Sequence, residues 1–443
     1  MAITNIGRPM LGTLKQFGPR NTCTRRLFRT SHPVLRSFNG QGAPPIGVKD
    51  GLVQGLDPMT GESIAPVGSA DIDASKLRIE KTNAPKSKLN PTELRFGQTF
   101  TDHMLILNWS QTAGWSAPSI QPYQPLVLDP SATIFHYAPS LFEGMKAYKG
   151  SDGSIRLFRP DKNMQRMNNS AERLAFPRFD GSELVKLIKS LVELDADWIP
   201  TEPGYSLYIR PTMIGTQVGL GVSPSTDVML FVICSPVGPY YKTGFKPVSL
   251  LASTEYVRAW PGGTGAFKLG ANYAPGVVPQ VKAARDGFQQ ILWLFGEQHE
   301  LTEVGTMNLF LAIERDNGQL EVVTPPLDDK ILPGITRDSA LALLRGHADN
   351  SNQLDGLPKD LVISERKICM AEVVEASRKS KLREVFGTGT AAIVSSVNCI
   401  GYEGQDILIP VESGGLGDIA AVVQREILGR QTGMIPSDWS VIV

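Results

Sequence analysis

Cysteine is scarce in this 443-residue chain: Cys23, Cys234, Cys369 and Cys399 lie far apart, and no two form a C-x-x-C pair. Thiols so dispersed exclude a disulfide scaffold and a cysteine zinc site, and they suit a reducing compartment. Long apolar runs are missing too. The stretch 228–234 is only strand-sized, far short of the ~20 residues that a membrane-spanning helix needs, so no membrane partner is expected. Net charge is absent, with 44 basic and 44 acidic residues, and no basic patch marks a nucleic-acid surface. Acidic residues are missing altogether from the first 40 positions, where seven of the basic residues lie among Ser, Thr and scattered apolar residues. An Arg-rich, acid-free start is the composition of an organelle transit peptide rather than of a nucleic-acid-binding arm. Without it the chain would be mildly acidic.

What is present, 42% hydrophobic residues over this length, is enough for a large core and two domains. Residues 41–92 are rich in Gly, Pro, Ser and Lys without periodicity and read as a surface extension, with regular structure beginning near Phe96. Strands are predicted at 103–109, 155–158, 206–213 and 228–234. Helices are predicted over 161–174, with Met164, Met167, Ala171 and Leu174 on one face, and over 183–194 behind a Ser182 cap. Three prolines and two glycines make 236–247 a linker. Strands at 290–294, 307–313 and 320–323 follow, the last two joined through Asp316-Asn-Gly318, a hairpin signal. Thr336 caps a helix through Leu344, and Asp418 one through Leu428. The order of elements is that of a mixed α/β (α+β) chain, without the regular alternation of a barrel or doubly wound sheet.

Two glycine-rich segments look like coenzyme motifs and fail as such. In Gly262-Gly-Thr-Gly-Ala-Phe-Lys-Leu-Gly270 the lysine is preceded by Phe267 and followed by Leu269, not set between Gly and Ser/Thr as a phosphate loop requires. Gly387-Thr-Gly-Thr-Ala-Ala392 lies near the chain end before a Val/Ile-rich strand, whereas a dinucleotide fingerprint opens an early strand–helix unit. What remains is Lys268 among glycines and hydrophobes, where burial lowers an amine's pKa and makes it nucleophilic. By local sequence alone Lys268 is one solvated lysine among many, Glu303 a strand-end acid, Asn308 a turn amide and Arg166 a helix-surface ion pair.

The ordered set Glu303, Asn308-Leu309-Phe310, Thr324 and Leu332-x-Gly334-Ile335-x-Arg337 closely resembles the signature of the class IV aminotransferases. The segments Leu141-Phe-Glu-Gly-Met-Lys-Ala147, Arg156-Leu-Phe-Arg-Pro160, Asn163-Met-Gln-Arg-Met167, Tyr208-Ile-Arg-Pro211 and Arg258-Ala-Trp-Pro-Gly-Gly263 extend the resemblance. Over residues 95–443 the chain is similar to eukaryotic branched-chain amino-acid aminotransferases. The resemblance implies a two-domain fold type IV enzyme: transit peptide 1–40, extension 41–92, small α/β domain 93–235, linker 236–247, and a large domain 248–443 with a pseudo-barrel sheet. It implies pyridoxal 5′-phosphate (PLP) bound to Lys268 as a Schiff base, with Lys268 also moving the proton during transfer. Glu303 would face the pyridine nitrogen and Tyr273 the ring hydroxyl. Arg166, the amides of Ile335 and Thr336, and Thr390 would hold the phosphate. Phe100, Tyr137, Phe142 and Tyr208 would wall an apolar substrate pocket, Arg210 would assist the distal carboxylate of glutamate, and amides at Thr390 and Ala391 would meet the α-carboxylate. Leu220 and Val222 match residues contributed by a second subunit, which implies a homodimer.

The implied reaction is reversible transamination of leucine, isoleucine or valine with 2-oxoglutarate, in the mitochondrial matrix. Another class IV enzyme, such as a D-amino-acid aminotransferase or aminodeoxychorismate lyase, is the nearest alternative, and a non-catalytic regulatory protein of the same fold a further one. Animal mitochondrial members carry a C-x-x-C pair where this chain has Ala392 and Ser395, so thiol control of that kind is not expected.

Overall fold

The segment Asp227–Val237 shows why strands dominate the first half of the chain: its residues alternate between buried and partly exposed along most of its length, the period of a pleated strand. The computed structural model describes residues 70–238, 246–411 and 415–443. The expected transit peptide, the first part of the extension and most of the proline-rich linker lie outside the described residues.

Asp227–Val237 pairs along its whole length with Ser206–Gly215 and, on its other side, with His103–Ser110. Met145–Lys149 and Ile155–Phe158 continue the sheet beyond Ser206–Gly215, and the C-terminal strand Ser440–Ile442 returns to close that edge. Pairing is antiparallel throughout, except that Arg78–Ile79 joins Ser119–Pro122 in parallel. Regular structure therefore starts well before Phe96. The extension has no periodicity because tertiary contacts hold it: the Thr82 amide donates to Nε2 of the buried His103 at 3.0 Å, and the Ala74 amide donates to Glu183 at 2.8 Å.

Helices Pro160–Arg173 and Gly181–Leu194 pack Met164, Met167, Leu184, Leu187 and Leu191 into one apolar core with the sheet. The second helix is capped by Asp180, not by Ser182. The Asp180 carboxylate accepts from the amides of Ser182 and Glu183, leaving Ser182 inside the first turn.

The second sheet closes on itself. Glu300–Val304, Gln290–Phe295, Val248–Ser253, Ile393–Tyr402, Leu382–Gly389 and Met307–Glu314 follow one another in pairing order, and the last pairs back to the first. Met307–Glu314 in this ring is buried on both faces, so it reads as a nearly continuous apolar run. Leu309 and Leu311 point into one core, while Phe310 and Ala312 point into another beneath helices Ile335–Ala348 and Asp418–Thr432. Phe310 stacks on Phe386 there, with centroids 5.1 Å apart. Met307–Glu314 and Leu320–Thr324 form the expected hairpin, with Gly318 at φ 84° in the turn.

Two helix starts differ from expectation. Ile335–Ala348 begins behind Gly334 with no side-chain cap, so Thr336 is its second residue. Asp418–Thr432 begins behind Gly417, and buried Glu384 accepts from the amides of Ile419 and Ala420. Both caps are supplied, or left open, by residues distant in sequence.

Candidate functional site

The uncapped start of Ile335–Ala348, one end of the strand ring and the first sheet enclose a cavity of about 420 Å³. Lys268 reaches it from an irregular segment sewn to the first half of the chain. Its amide donates to Ser170 Oγ at 3.0 Å, and its carbonyl accepts from the Phe142 amide at 3.1 Å. Its Nζ donates to Tyr273 Oη at 3.3 Å and lies 4.7 Å from the Phe142 ring centre. Burial, and then the Arg166 charge, push the Lys268 amine down to about 8. The Tyr273 phenol is pushed up to about 12 by burial and by Glu303, so it stays a donor at neutral pH.

Arg166 is a cavity wall rather than a surface ion pair. Its Nε and Nη2 bind both oxygens of Glu143 at 2.7 and 2.8 Å, and Nη1 donates to the Pro333 carbonyl at 3.1 Å. Burial would raise the Glu143 carboxyl, but the Arg166 guanidinium holds it below its ordinary value. Three of the five guanidinium N–H groups are used within the protein, which leaves two for a ligand. Beside them, Ile335 and Thr336 line the cavity with first-turn amides, a natural anion site. Thr390 joins them from the turn between Leu382–Gly389 and Ile393–Tyr402, and the Thr388 hydroxyl is buried there without a partner among the described residues. Such an orphaned donor, beside free amides and two guanidinium N–H groups, fits a phosphate.

Gly334 has to be glycine: a Cβ there would overlap Asn308 Oδ1, and Asn308 is fixed by donating to the Leu332 carbonyl at 2.8 Å. Gly334→Ala is expected to destabilise the protein by about 1–3 kcal/mol through overpacking. A denaturant midpoint equal to the wild type's would contradict that fit.

Glu303 lies just behind the cavity wall, almost fully buried. Its Oε1 accepts from the Leu332 amide at 2.6 Å and its Oε2 pairs with Arg258 Nε at 2.8 Å. Burial pushes its carboxyl above the ordinary value, with Arg258 opposing the shift. Arg258 went unassigned by sequence reasoning, although its motif was legible. Its Nη1 also donates to the carbonyls of Gly265 and Lys330, so it ties Glu303 to the lysine segment.

The apolar wall differs in part from expectation. Phe142 and Tyr208 line the cavity, and so does Phe96, edge-on to Tyr208 with centroids 4.9 Å apart. Phe100 does not; it turns away to stack on Tyr123. Tyr137 also lies outside, donating to the Leu220 carbonyl on an exposed surface with Phe135, Val218 and Val222. Leu220 and Val222 are 68% and 61% exposed and touch nothing in this chain's cavity. Ala391 lines the cavity beside Thr390. Arg210 also faces it: Nη2 donates to Tyr208 Oη at 3.1 Å and the guanidinium sits 4.6 Å over Phe142. Among the described residues the buried Arg210 Nε has no partner, so a cation is available for an incoming carboxylate. No cluster of His, Cys, Asp or Glu suited to a metal ion occurs among the described residues. The arrangement is therefore an anion pole, a weakly basic buried amine, a buried acid–guanidinium pair and an apolar wall beside the Arg210 cation.

Comparison with known proteins agrees with this geometry. Residues 140–398 match the family model described as amino-transferase class IV. The chain is 52% identical over 378 residues to the cytosolic branched-chain-amino-acid aminotransferase of Saccharomyces cerevisiae, covering 84% of this chain and 98% of that one. It is 46% identical over 377 residues to the mitochondrial enzyme of that name from Bos taurus, covering 85% and 93%. Among solved structures, the T.th. branched-chain amino acid aminotransferase with pyridoxamine 5′-phosphate aligns with a TM-score of 0.58 at 25% identity. The alignment covers 76% of this chain and 97% of that one. The chain belongs to the class IV aminotransferases.

Proposed function

We infer that this class IV aminotransferase is a branched-chain-amino-acid transaminase that uses PLP to exchange an amino group between leucine, isoleucine or valine and 2-oxoglutarate. The observation that carries this is the Lys268 amine, buried and weakly basic, set between an anion pole and the Glu303–Arg258 pair. PLP when bound supplies an aldehyde that links to an amine and a ring that accepts the electron pair released at the substrate Cα. The chain's own residues do the rest. Arg166, Thr390 and the amides of Ile335 and Thr336 hold the phosphate, and Tyr273 and Glu303 orient the ring. Lys268, once displaced by substrate, takes the Cα proton and returns it on the far side of the reaction. Its lowered pKa suits an amine that must carry a proton both ways near neutral pH.

Phe96, Phe142 and Tyr208 suit an aliphatic side chain, and Arg210 meets the distal carboxylate of glutamate when that substrate replaces it. This pairing of an apolar wall with the Arg210 cation favours the branched-chain reading over a D-amino-acid aminotransferase or a lyase. With Lys268, Glu303 and Arg166 all in place, nothing favours a non-catalytic role. Purified protein should show the visible absorbance of lysine-bound cofactor, bleached by L-leucine and restored by 2-oxoglutarate. Bleaching by D-alanine instead would overturn the substrate assignment, and failure to take up PLP would overturn the enzyme.

Capture of PLP by the apoprotein should follow the neutral fraction of Lys268. Its rate is expected to rise about tenfold per pH unit below pH 8 and to level off above it. A stopped-flow rate still climbing towards pH 10 would mean that Lys268 is an ordinary solvated amine.

The active unit in this reading is a homodimer. Tyr137, Leu220 and Val222 supply an exposed apolar surface that reaches the partner's cavity, which explains why they lie outside their own. Leu220→Asp with Val222→Asp is expected to shift sedimentation towards a monomer and to weaken substrate binding. A double variant that stayed dimeric with an unchanged KM would sink the shared-wall reading. In this reading a small domain precedes the linker and a large one follows it; the two sheets, with Ser440–Ile442 pairing in the first, support that division. The acid-free segment 1–40 directs the protein to mitochondria; relatives of both mitochondrial and cytosolic type exist.

A further inference from the structure

The turn that carries Thr390 and Ala391 is held from behind by a second buried lysine. Lys146, on Met145–Lys149, is 5% exposed and donates from Nζ to the Ala391 carbonyl at 2.8 Å. The turn is under strain: Ile393, a β-branched residue, sits at φ 64° where this kind of loop ordinarily has glycine. A conformation of that kind persists only where neighbouring contacts hold it. Behind it lies a small recess of about 20 Å³, enough for one water, lined by Lys146, Tyr148, Asn163, Thr336, Thr390 and Gln431 among others. Tyr148 Oη and Gln431 Oε1 are buried without partners among the described residues. Thr336 and Thr390 thus face this space on one side and the main cavity on the other.

No carboxylate pairs with Lys146 among the described residues, and burial alone pushes its amine down to about 7. Tyr148 is the other titratable group lining the space. The helices packed around it contribute uncharged Asn163, Ile335, Thr336 and Gln431. Glu143, which accepts from Asn163 at the edge of this space, is already paired with Arg166, so the unfilled place for a countercharge is the anion pole on the far side of the turn.

We propose that Lys146 is a positioning residue that fixes the Thr390–Ala391 turn through the Ala391 carbonyl and takes its countercharge from the phosphate bound in the main cavity. A phosphate ligand then binds the ammonium form more tightly than the neutral amine, and binding draws in a proton. The inference rests on the anion pole being a phosphate site, so the test uses pyridoxamine 5′-phosphate, which cannot link to Lys268, and phosphate-free pyridoxamine as a control.

Binding to wild type, Lys146→Gln, Lys146→Met and Lys146→Arg apoprotein is measured by calorimetry from pH 6 to 9, in two buffers of different ionisation enthalpy. Gln keeps a donor for the Ala391 carbonyl but no charge; Met keeps neither; Arg keeps both. Wild type is expected to bind pyridoxamine 5′-phosphate about 10–100-fold more tightly than Met at pH 6, the range of a charge-assisted contact. The wild-type advantage over Gln should shrink as pH rises past about 7, the value to which burial brings Lys146. Arg should restore most of the affinity, and pyridoxamine should not distinguish the four proteins. In steady state, Met should raise the KM for 2-oxoglutarate more than Gln does, because only Met frees the turn. Gln binding as tightly as wild type at every pH, with equal proton uptake, would overturn the charge assignment, even if Met failed to fold. Failure of wild type to bind pyridoxamine 5′-phosphate would instead overturn the phosphate site itself.

Discussion

Lys268→Ala is expected to reduce turnover by about 10⁴-fold or more, equivalent to roughly 5.5 kcal/mol of barrier, the upper end of what one positioned acid–base group supplies. The loss should fall on kcat, because in the proposed function the amine moves a proton and the pocket walls do not depend on it. Among the described residues Lys268 Nζ makes one hydrogen bond, a 3.3 Å contact to Tyr273. Its backbone anchors at Ser170 and Phe142 survive the substitution. The variant should therefore fold, bind cofactor without a covalent link, and show an absorbance that borohydride no longer fixes to the chain. Exogenous small amines should restore part of the rate, since the cavity then has room for one. A variant that retained turnover within tenfold of wild type would remove Lys268 from the mechanism.

Glu303→Gln should be nearly as damaging to the reaction while sparing the bound cofactor. The amide oxygen can still accept from Leu332, so the strand end keeps its shape. What disappears is the negative charge that pairs with Arg258 and, in the proposed function, faces the cofactor ring. Loss of a buried electrostatic partner aimed at the reacting centre commonly costs about 10²–10³ in rate. Leaving the Arg258 guanidinium unpaired adds a stability cost of about 3–5 kcal/mol. Turnover, cofactor content and thermal midpoint measured on one preparation separate these effects. Unchanged turnover with a lowered midpoint would make the Glu303–Arg258 pair a structural bridge and nothing more. Arg258→Met read alongside should move stability in the same direction, because it strands the buried carboxylate.

Much of the fold could be read from periodicity. The strands around residues 103, 155, 206 and 228 and the helices over Pro160–Arg173 and Gly181–Leu194 lie within a few residues of expectation; the helices and Asp227–Val237 bury one face more than the other. The ring strands were harder. Met307–Glu314 is buried on both faces and shows no alternation, and Leu382–Gly389 mixes Arg383 and Glu384 into an otherwise apolar run because Glu384 serves a distant helix start.

At the site, sequence by itself determined which residue types were available: one lysine among hydrophobes, one acid in an apolar strand pair, and an ordered motif set too long to be accidental. It also set the thiol content, since Ala392 and Ser395 leave the turn without cysteines. Which aromatic becomes a wall was decided by tertiary structure. Phe96 and Phe100 stand four residues apart in a segment without periodicity, and only packing against Tyr208 or Tyr123 separates their roles. The same holds for Arg258, whose partner is 45 positions away, and for Lys146, whose partner carbonyl is 245 positions away. A pKa is set by what surrounds a group in space. Lys268 owes its weakened basicity to burial and to Arg166, 102 positions earlier, and neither could be read from the residues beside it.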